Sequence, residues 1–127
     1  MNPACQTAGV LAPLGIHHVS INVSDTDAAV AFYTGVLGFG LRTDRPDFRF
    51  GGAWLDVGGQ QVHLIEAPLP EGHGQHFAVL VADLDAAVAA VRACGVTVSD
   101  PVPVGSGRQS FLHDPSGNLV ELHQPAA

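Results

Sequence analysis

Four of the metal-ligand-type residues in this 127-residue chain, His18, His63, His76 and Glu121, stand at a repeated spacing. His18 and His63 are 45 positions apart (63 − 18), as are His76 and Glu121 (121 − 76). The second pair is the first displaced by 58 (76 − 18 and 121 − 63). Three imidazoles and one carboxylate suit Zn, Ni, Mn, Fe or Co without choosing among them, and a six-coordinate ion would keep positions open for a substrate. A single histidine at a strand start is usually a partly buried polar residue. Four ligand-type residues related by one displacement are different, because core packing has no reason to select metal chemistry at all four.

The displacement extends far beyond these four. His18-Val19-Ser20-Ile21-Asn22-Val23-Ser24-Asp25 falls on His76-Phe77-Ala78-Val79-Leu80-Val81-Ala82-Asp83, and Asp27-Ala28-Ala29-Val30 on Asp85-Ala86-Ala87-Val88. Asp56, Gly59 and Gln60 fall on Asp114, Gly117 and Asn118, and Val62 and Leu64 on Val120 and Leu122. One offset held over this length reads as a duplicated module.

Each copy predicts the same elements. His18–Val23 alternates with the period of a half-buried strand. Ser24 or Asp25 offers an N-cap, Ala29, Phe32, Tyr33 and Val36 form a helical stripe, and Gly38 ends it. In the second copy Asp83 caps, Ala87, Ala90, Val91 and Cys94 form the stripe, and Gly95 stops it. Short extended pieces follow, near Gly40–Asp44, Ala53–Val57 and Gln61–Glu66, then near Thr97–Val102, Gln109–His113 and Leu119–His123. Gly58-Gly59 and Asp114–Asn118 are the hairpin turns. The reading is α+β: two tandem βαβββ modules whose curved mixed sheets surround a central cleft. Residues 1–14 read as a loose tail and 15–124 as one domain, with module one at 15–67 and module two at 75–124. The connector Ala67–Gln75 is rich in Pro and Gly.

Strand parity assigns the faces. The apolar set Val19, Ile21 and Val23 suits a covering helix, so His18 points to the other, concave face. His63 likewise opposes Val62 and Leu64, and Glu121 opposes Val120 and Leu122. Two such faces around a pseudo-twofold would converge His18, His63, His76 and Glu121. By the same parity His17 falls on the helix side as a structural residue, His73 lies in the connector, and His113 and His123 support rather than react. The aspartates at positions 25, 27, 83 and 85 are explained by capping and the helix dipole.

Composition excludes several partners. Twelve acidic residues stand against five arginines and no lysine, so nucleic acid and anionic membranes are not expected. No run approaches the length of a membrane span. Cys5 and Cys94 form neither a metal knuckle nor a redox motif, and a cytoplasmic setting is the expectation.

The segment His18–Asp25, the run Ala31-Phe32-Tyr33 through Leu37-Gly38-Phe39, and the ending Asp114-Pro115-Ser116-Gly117-Asn118-Leu119-Val120-Glu121-Leu122 resemble the vicinal-oxygen-chelate superfamily. That superfamily includes glyoxalase I, methylmalonyl-CoA epimerase, fosfomycin-resistance transferases, extradiol dioxygenases and bleomycin-resistance proteins. The resemblance covers about Leu14 to Gln124. It implies ligands at His18, His76 and Glu121, with His63 at a position that the glyoxalase I and epimerase branch often fills with Glu or Gln. It also implies a homodimer in which modules of two chains share a site.

The expected activity is that of a small metal-dependent lyase or isomerase. A divalent ion would stabilise the enediolate or enolate of an α-oxo or α-hydroxycarbonyl substrate, with Glu121 as general base. Glyoxalase I would offer two carboxylates as alternative bases and this chain offers one, which weighs against glutathione-hemithioacetal isomerisation itself. Two alternatives remain: a metal-free protein that sequesters a small molecule or antibiotic, and an Fe(II) dioxygenase of extradiol type, which requires His63 off the metal.

Overall fold

A computed structural model describes residues 14–72 and 74–126. Cys5, His73 and nearly all of the expected tail lie outside the described residues. The element order is β1 (His18–Val23), α1 (Thr26–Gly35), β2 (Gly40–Leu41), β3 (Gly52–Val57), β4 (Gln60–Glu66), β5 (His76–Leu80), α2 (Leu84–Ala93), β6 (Val102–Val104), β7 (Gly107–His113) and β8 (Leu119–Gln124). This is βαβββ twice. The sheets are mixed, ordered β1-β4-β3-β2 and β5-β8-β7-β6, with β1–β4 and β5–β8 parallel.

Both helices begin as expected. The Asp25 carboxylate accepts from the Ala28 amide at 3.0 Å and that of Asp83 from the Ala86 amide at 3.1 Å, each satisfying an amide that the first turn leaves free. Gly38 and Gly95 follow the two helices at φ of 75° and 80°, a region costly for any side chain. Helix α1 buries Ala29, Phe32 and Tyr33, three members of the expected stripe. Helix α2 departs from expectation: it buries Leu84, Val88 and Val91, while Ala90 and Cys94 are exposed. The bulky residues at 84, 88 and 91 bury more area than alanines can, so they choose the face.

Two strands also differ. The expected Thr97–Val102 contributes a single bridge, Val98 to Leu112, and β6 begins only at Val102. Pro101 has no amide to donate, and Pro103 is accommodated because β6 is an edge strand. β2 is confined to Gly40–Leu41, though the Arg42 amide still donates to the Trp54 carbonyl at 2.9 Å.

The modules share one core. Leu55, Leu64, Leu112 and Val120 are at most 1 % exposed and join both helices in a single cluster. Tyr33 of module one is fully buried, 6.3 Å from the Phe77 ring of module two. Its hydroxyl donates to Asp114 Oδ2 at 2.8 Å. Asp114 also accepts from the Ser116 and Asn118 amides and from Asn118 Nδ2, which in turn donates to the Asn22 carbonyl. The turn of module two is thereby tied to β1 of module one.

The duplication is less exact than the linear offset implies. Asp56 lies within β3 and pairs with Gln61, whereas Asp114 lies in the turn after β7. The second turn holds one more residue across the matching ladder positions, so Trp54 opposite His63 corresponds to Phe111 opposite Glu121, an offset of 57 (111 − 54).

Candidate metal centre

The open face of each sheet lies opposite its helix and carries one pair of the expected ligands. In module one, Ser20, His63 and Trp54 are neighbours across β1, β4 and β3. The His18 and His63 rings stack at 3.9 Å with 12° between planes, and Trp54 stacks on His63 at 4.4 Å and 10°. Gln61 Oε1 accepts from His63 Nε2 at 2.9 Å, leaving the lone pair on Nδ1. Burial, then the charge of His18, hold His63 below its ordinary 6.5, favouring the neutral imidazole that metals require. His17 is not on the helix side. It is exposed, and its Nδ1 lies 2.8 Å from the Nδ1 of His18, because the chain at 17 precedes β1 and strand parity does not reach it.

In module two, His76 Nδ1 lies 2.7 Å from the Gly74 carbonyl and Nε2 lies 3.0 Å from Glu121 Oε1. A carbonyl only accepts, so Nδ1 carries the hydrogen and Nε2 of the neutral ring is itself an acceptor. Nε2 and the carboxylate oxygen then face each other as two lone pairs. That arrangement calls for a cation, either a proton on the ring or a metal ion. Two ligands about 2.1 Å from an ion and at right angles to each other are about 3 Å apart, so the observed separation fits a shared coordination sphere. Glu121 Oε2 is 2.9 Å from His123 Nδ1, which orients the carboxylate. Phe111 meets His76 edge-on at 5.7 Å.

The expected residues are brought together two by two. Among the described residues, no three of His, Cys, Asp and Glu are close enough to hold one ion. Trp54, Gln61 and the Gly74 carbonyl were not anticipated from the sequence. Parity alone would have placed Trp54 and Phe111 on the open face, since Leu55 and Leu112 beside them are core.

The loop between β2 and β3 walls module one. Arg42 is held by Asp44 at 2.7 Å and Asp56 at 2.8 Å, and that bonding pushes the Asp44 carboxyl below the ordinary range. Phe48 and Phe50 stack at 5.1 Å, Phe48 lies 6.1 Å from Trp54, and the Arg45 guanidinium sits over Phe48 at 4.9 Å.

The model of the Glyoxalase/Bleomycin resistance protein/Dioxygenase superfamily matches residues 15–122. The chain belongs to this superfamily. A Vibrio cholerae protein named "Probable lactoylglutathione lyase" is 30 % identical over 123 residues, covering 86 % of this chain and 89 % of that protein. Among solved structures, TnmS3, an antibiotic binding protein from Streptomyces sp. CB03234, is similar with a TM-score of 0.77 at 29 % identity, covering 91 % of this chain and 99 % of its own. A glyoxalase family protein from Enterococcus faecalis is similar with a TM-score of 0.73 at 26 % identity, over 87 % and 97 % of the two chains. The superfamily assignment accounts for the doubled βαβββ order, and it spans enzymes and binding proteins alike. No helix among the described residues is long and apolar enough to cross a membrane.

Proposed function

We propose that the chain is a divalent-metal-dependent lyase or isomerase of glyoxalase type, with His18, His63, His76 and Glu121 as its ligands. The observation that carries this reading is the opposed pair His76 Nε2 and Glu121 Oε1, 3.0 Å apart, with the His76 tautomer set by Gly74. The His18–His63 stack is its counterpart in module one. A homodimer completes the site, laying the open face of module one against the open face of the partner's module two. A divalent ion held by these four residues would supply Lewis acidity to the oxygens of an α-oxo or α-hydroxycarbonyl substrate. Glu121 takes the proton from the carbon beside the carbonyl and returns it to the adjacent carbon. His123 Nδ1, 2.9 Å from the second carboxylate oxygen, keeps the base aimed.

Metal analysis of protein purified without chelator tests the reading. Bound metal, and a rise in Tm on adding Mn, Fe, Co, Ni or Zn, is the expected result. No metal and no stabilisation would favour the second reading, a protein that sequesters a small molecule. That reading draws support from the likeness to an antibiotic binding protein and from Phe48 and Phe50, 39 % and 47 % exposed at the rim.

A further inference from the structure

We infer that the substrate of this site is an uncharged compound with a flat aryl or conjugated group beside its two chelating oxygens, and that Trp54 and Phe111 select it. The inference rests on the metal-site reading above and deepens it.

Oxygens that reach a metal ion lie about 2 Å from it, so the substrate's body must emerge directly beside the ligand side chains. An aromatic residue stands at each exit. Trp54 is opposite His63 in the ladder and stacked on it at 4.4 Å, and Phe111 is opposite Glu121 and 5.7 Å from the His76 ring. Both are half-buried, while Leu55 and Leu112, one residue along, are 0 % and 1 % exposed. These aromatics therefore belong to the open face rather than the core. The surroundings continue in kind. Leu80 and Val102 stand in the outer row of module two, through Leu80–His123–Gln109–Val102, and are largely exposed. Phe48 and Phe50 continue from Trp54 to the rim of module one.

Charge argues the same way. A thioester of glutathione carries two carboxylates, and recognising them requires free cations. Arg42, on the open face, is committed to Asp44 and Asp56. Arg92 is paired with Asp100 and Arg108 with Asp85. Arg45 donates to the Phe50 carbonyl, and Arg49 borders a crevice that also holds Asp25, Asp27, Asp47 and Glu66. The chain has no lysine to add. Flat apolar groups, by contrast, gain from both aromatic contact and area burial here.

The test uses two neutral bidentate probes that differ only in their body, benzohydroxamic acid and acetohydroxamic acid, with S-lactoylglutathione as the anionic probe. Binding to full-length protein is measured by calorimetry with and without Mn(II). The expected result is metal-dependent binding in which the aryl probe is at least about tenfold tighter than the methyl probe and tighter than S-lactoylglutathione. Trp54→Leu and Phe111→Leu should each shrink the ratio of aryl to methyl probe affinity towards one, and the Phe111 variant stands alone if the Trp54 variant fails to fold. Asp44→Asn with Asp56→Asn, which frees Arg42, should tighten S-lactoylglutathione. Equal, metal-dependent affinity for both hydroxamates overturns the substrate class and leaves the metal reading standing, as does preference for S-lactoylglutathione. Aryl preference that ignores added metal overturns the metal reading and keeps the aromatic subsite. Binding of neither hydroxamate overturns both.

Discussion

Nε2 of His76 and Oε1 of Glu121 lie 3.0 Å apart while Nδ1 of His76 faces the Gly74 carbonyl, so the gap between them takes a cation, a ring proton or a metal ion. Occupancy of that gap by a metal ion should lock both side chains and stabilise the fold. At a free-metal concentration one hundred times Kd the gain is about 2.7 kcal/mol, a shift of several degrees in Tm. His76→Ala should abolish the shift, and His17→Ala should leave it. Thermal melts with and without added metal measure both.

Glu121→Gln separates ligand from base. The amide oxygen can still approach the ion, but the proton acceptor is gone. Turnover should fall by roughly 10² or more with metal content largely kept. Near-normal turnover in the fully metallated variant would end the assignment of Glu121 as the base.

Trp54 is the only tryptophan in the chain, and it lies flat on His63. A paramagnetic ion such as Mn(II) or Ni(II) at the site should quench its fluorescence, whereas Mg(II) should not. Unchanged emission on saturating with either paramagnetic ion would place that ion away from His63.

Acid should weaken the protein through His63. Its depressed pKa means that the unfolded chain takes up a proton near 6.5 while the folded ring does not. Its contribution to stability is thus complete above 6.5 and is lost progressively as pH falls below it, until the folded ring also protonates. Denaturant midpoints at pH 7.5 and 5.5 should differ less in His63→Gln than in the parent, and the His63 ring signal should titrate below 6.5.

Ser110 is a core residue with a fully buried hydroxyl that has no hydrogen-bond partner among the described residues. Ser110→Ala removes a desolvated polar group and should stabilise the protein by up to about 1 kcal/mol. A lower midpoint in chemical denaturation would show that the hydroxyl has a use.

The doubled topology, and the pairing of His18 with His63 and of His76 with Glu121, were legible because the copies kept residue type and spacing at these positions. Alanine-rich α2 was harder. Ala87 and Ala90 carry little apolar contrast, and the stripe at Leu84, Ala87, Val88 and Val91 has the same i, i+3, i+4, i+7 period as the one expected. Period alone leaves its phase open until side-chain volume is weighed. The match of Trp54 with Phe111 was hidden differently. One additional residue in the second turn moves β7 by a single position against the 58-residue offset, so a linear comparison matches Trp54 with Leu112, a core residue. Gly74 and Gln61 act through a carbonyl and a short local contact, which residue type does not announce.

The knot formed by Tyr33 and Asp114 bears on the ancestry of the chain. Tyr33 sits on the first module but is buried with the help of Phe77 and Asp114 from the second. The β3 and β7 ladders are offset by 57, so the position equivalent to Asp114 in the first copy is Val57 (114 − 57), and Asp56 beside it holds Arg42 on the open face. The two copies have therefore diverged, the second turning Asp114 inward as a fastener where the first has an apolar residue. A single ancestral half could pair with itself symmetrically; these descendants no longer can. Expressed apart, residues 15–67 would expose the Tyr33 ring and residues 75–124 would leave Asp114 without its phenol, so each half should be soluble only when the other is supplied.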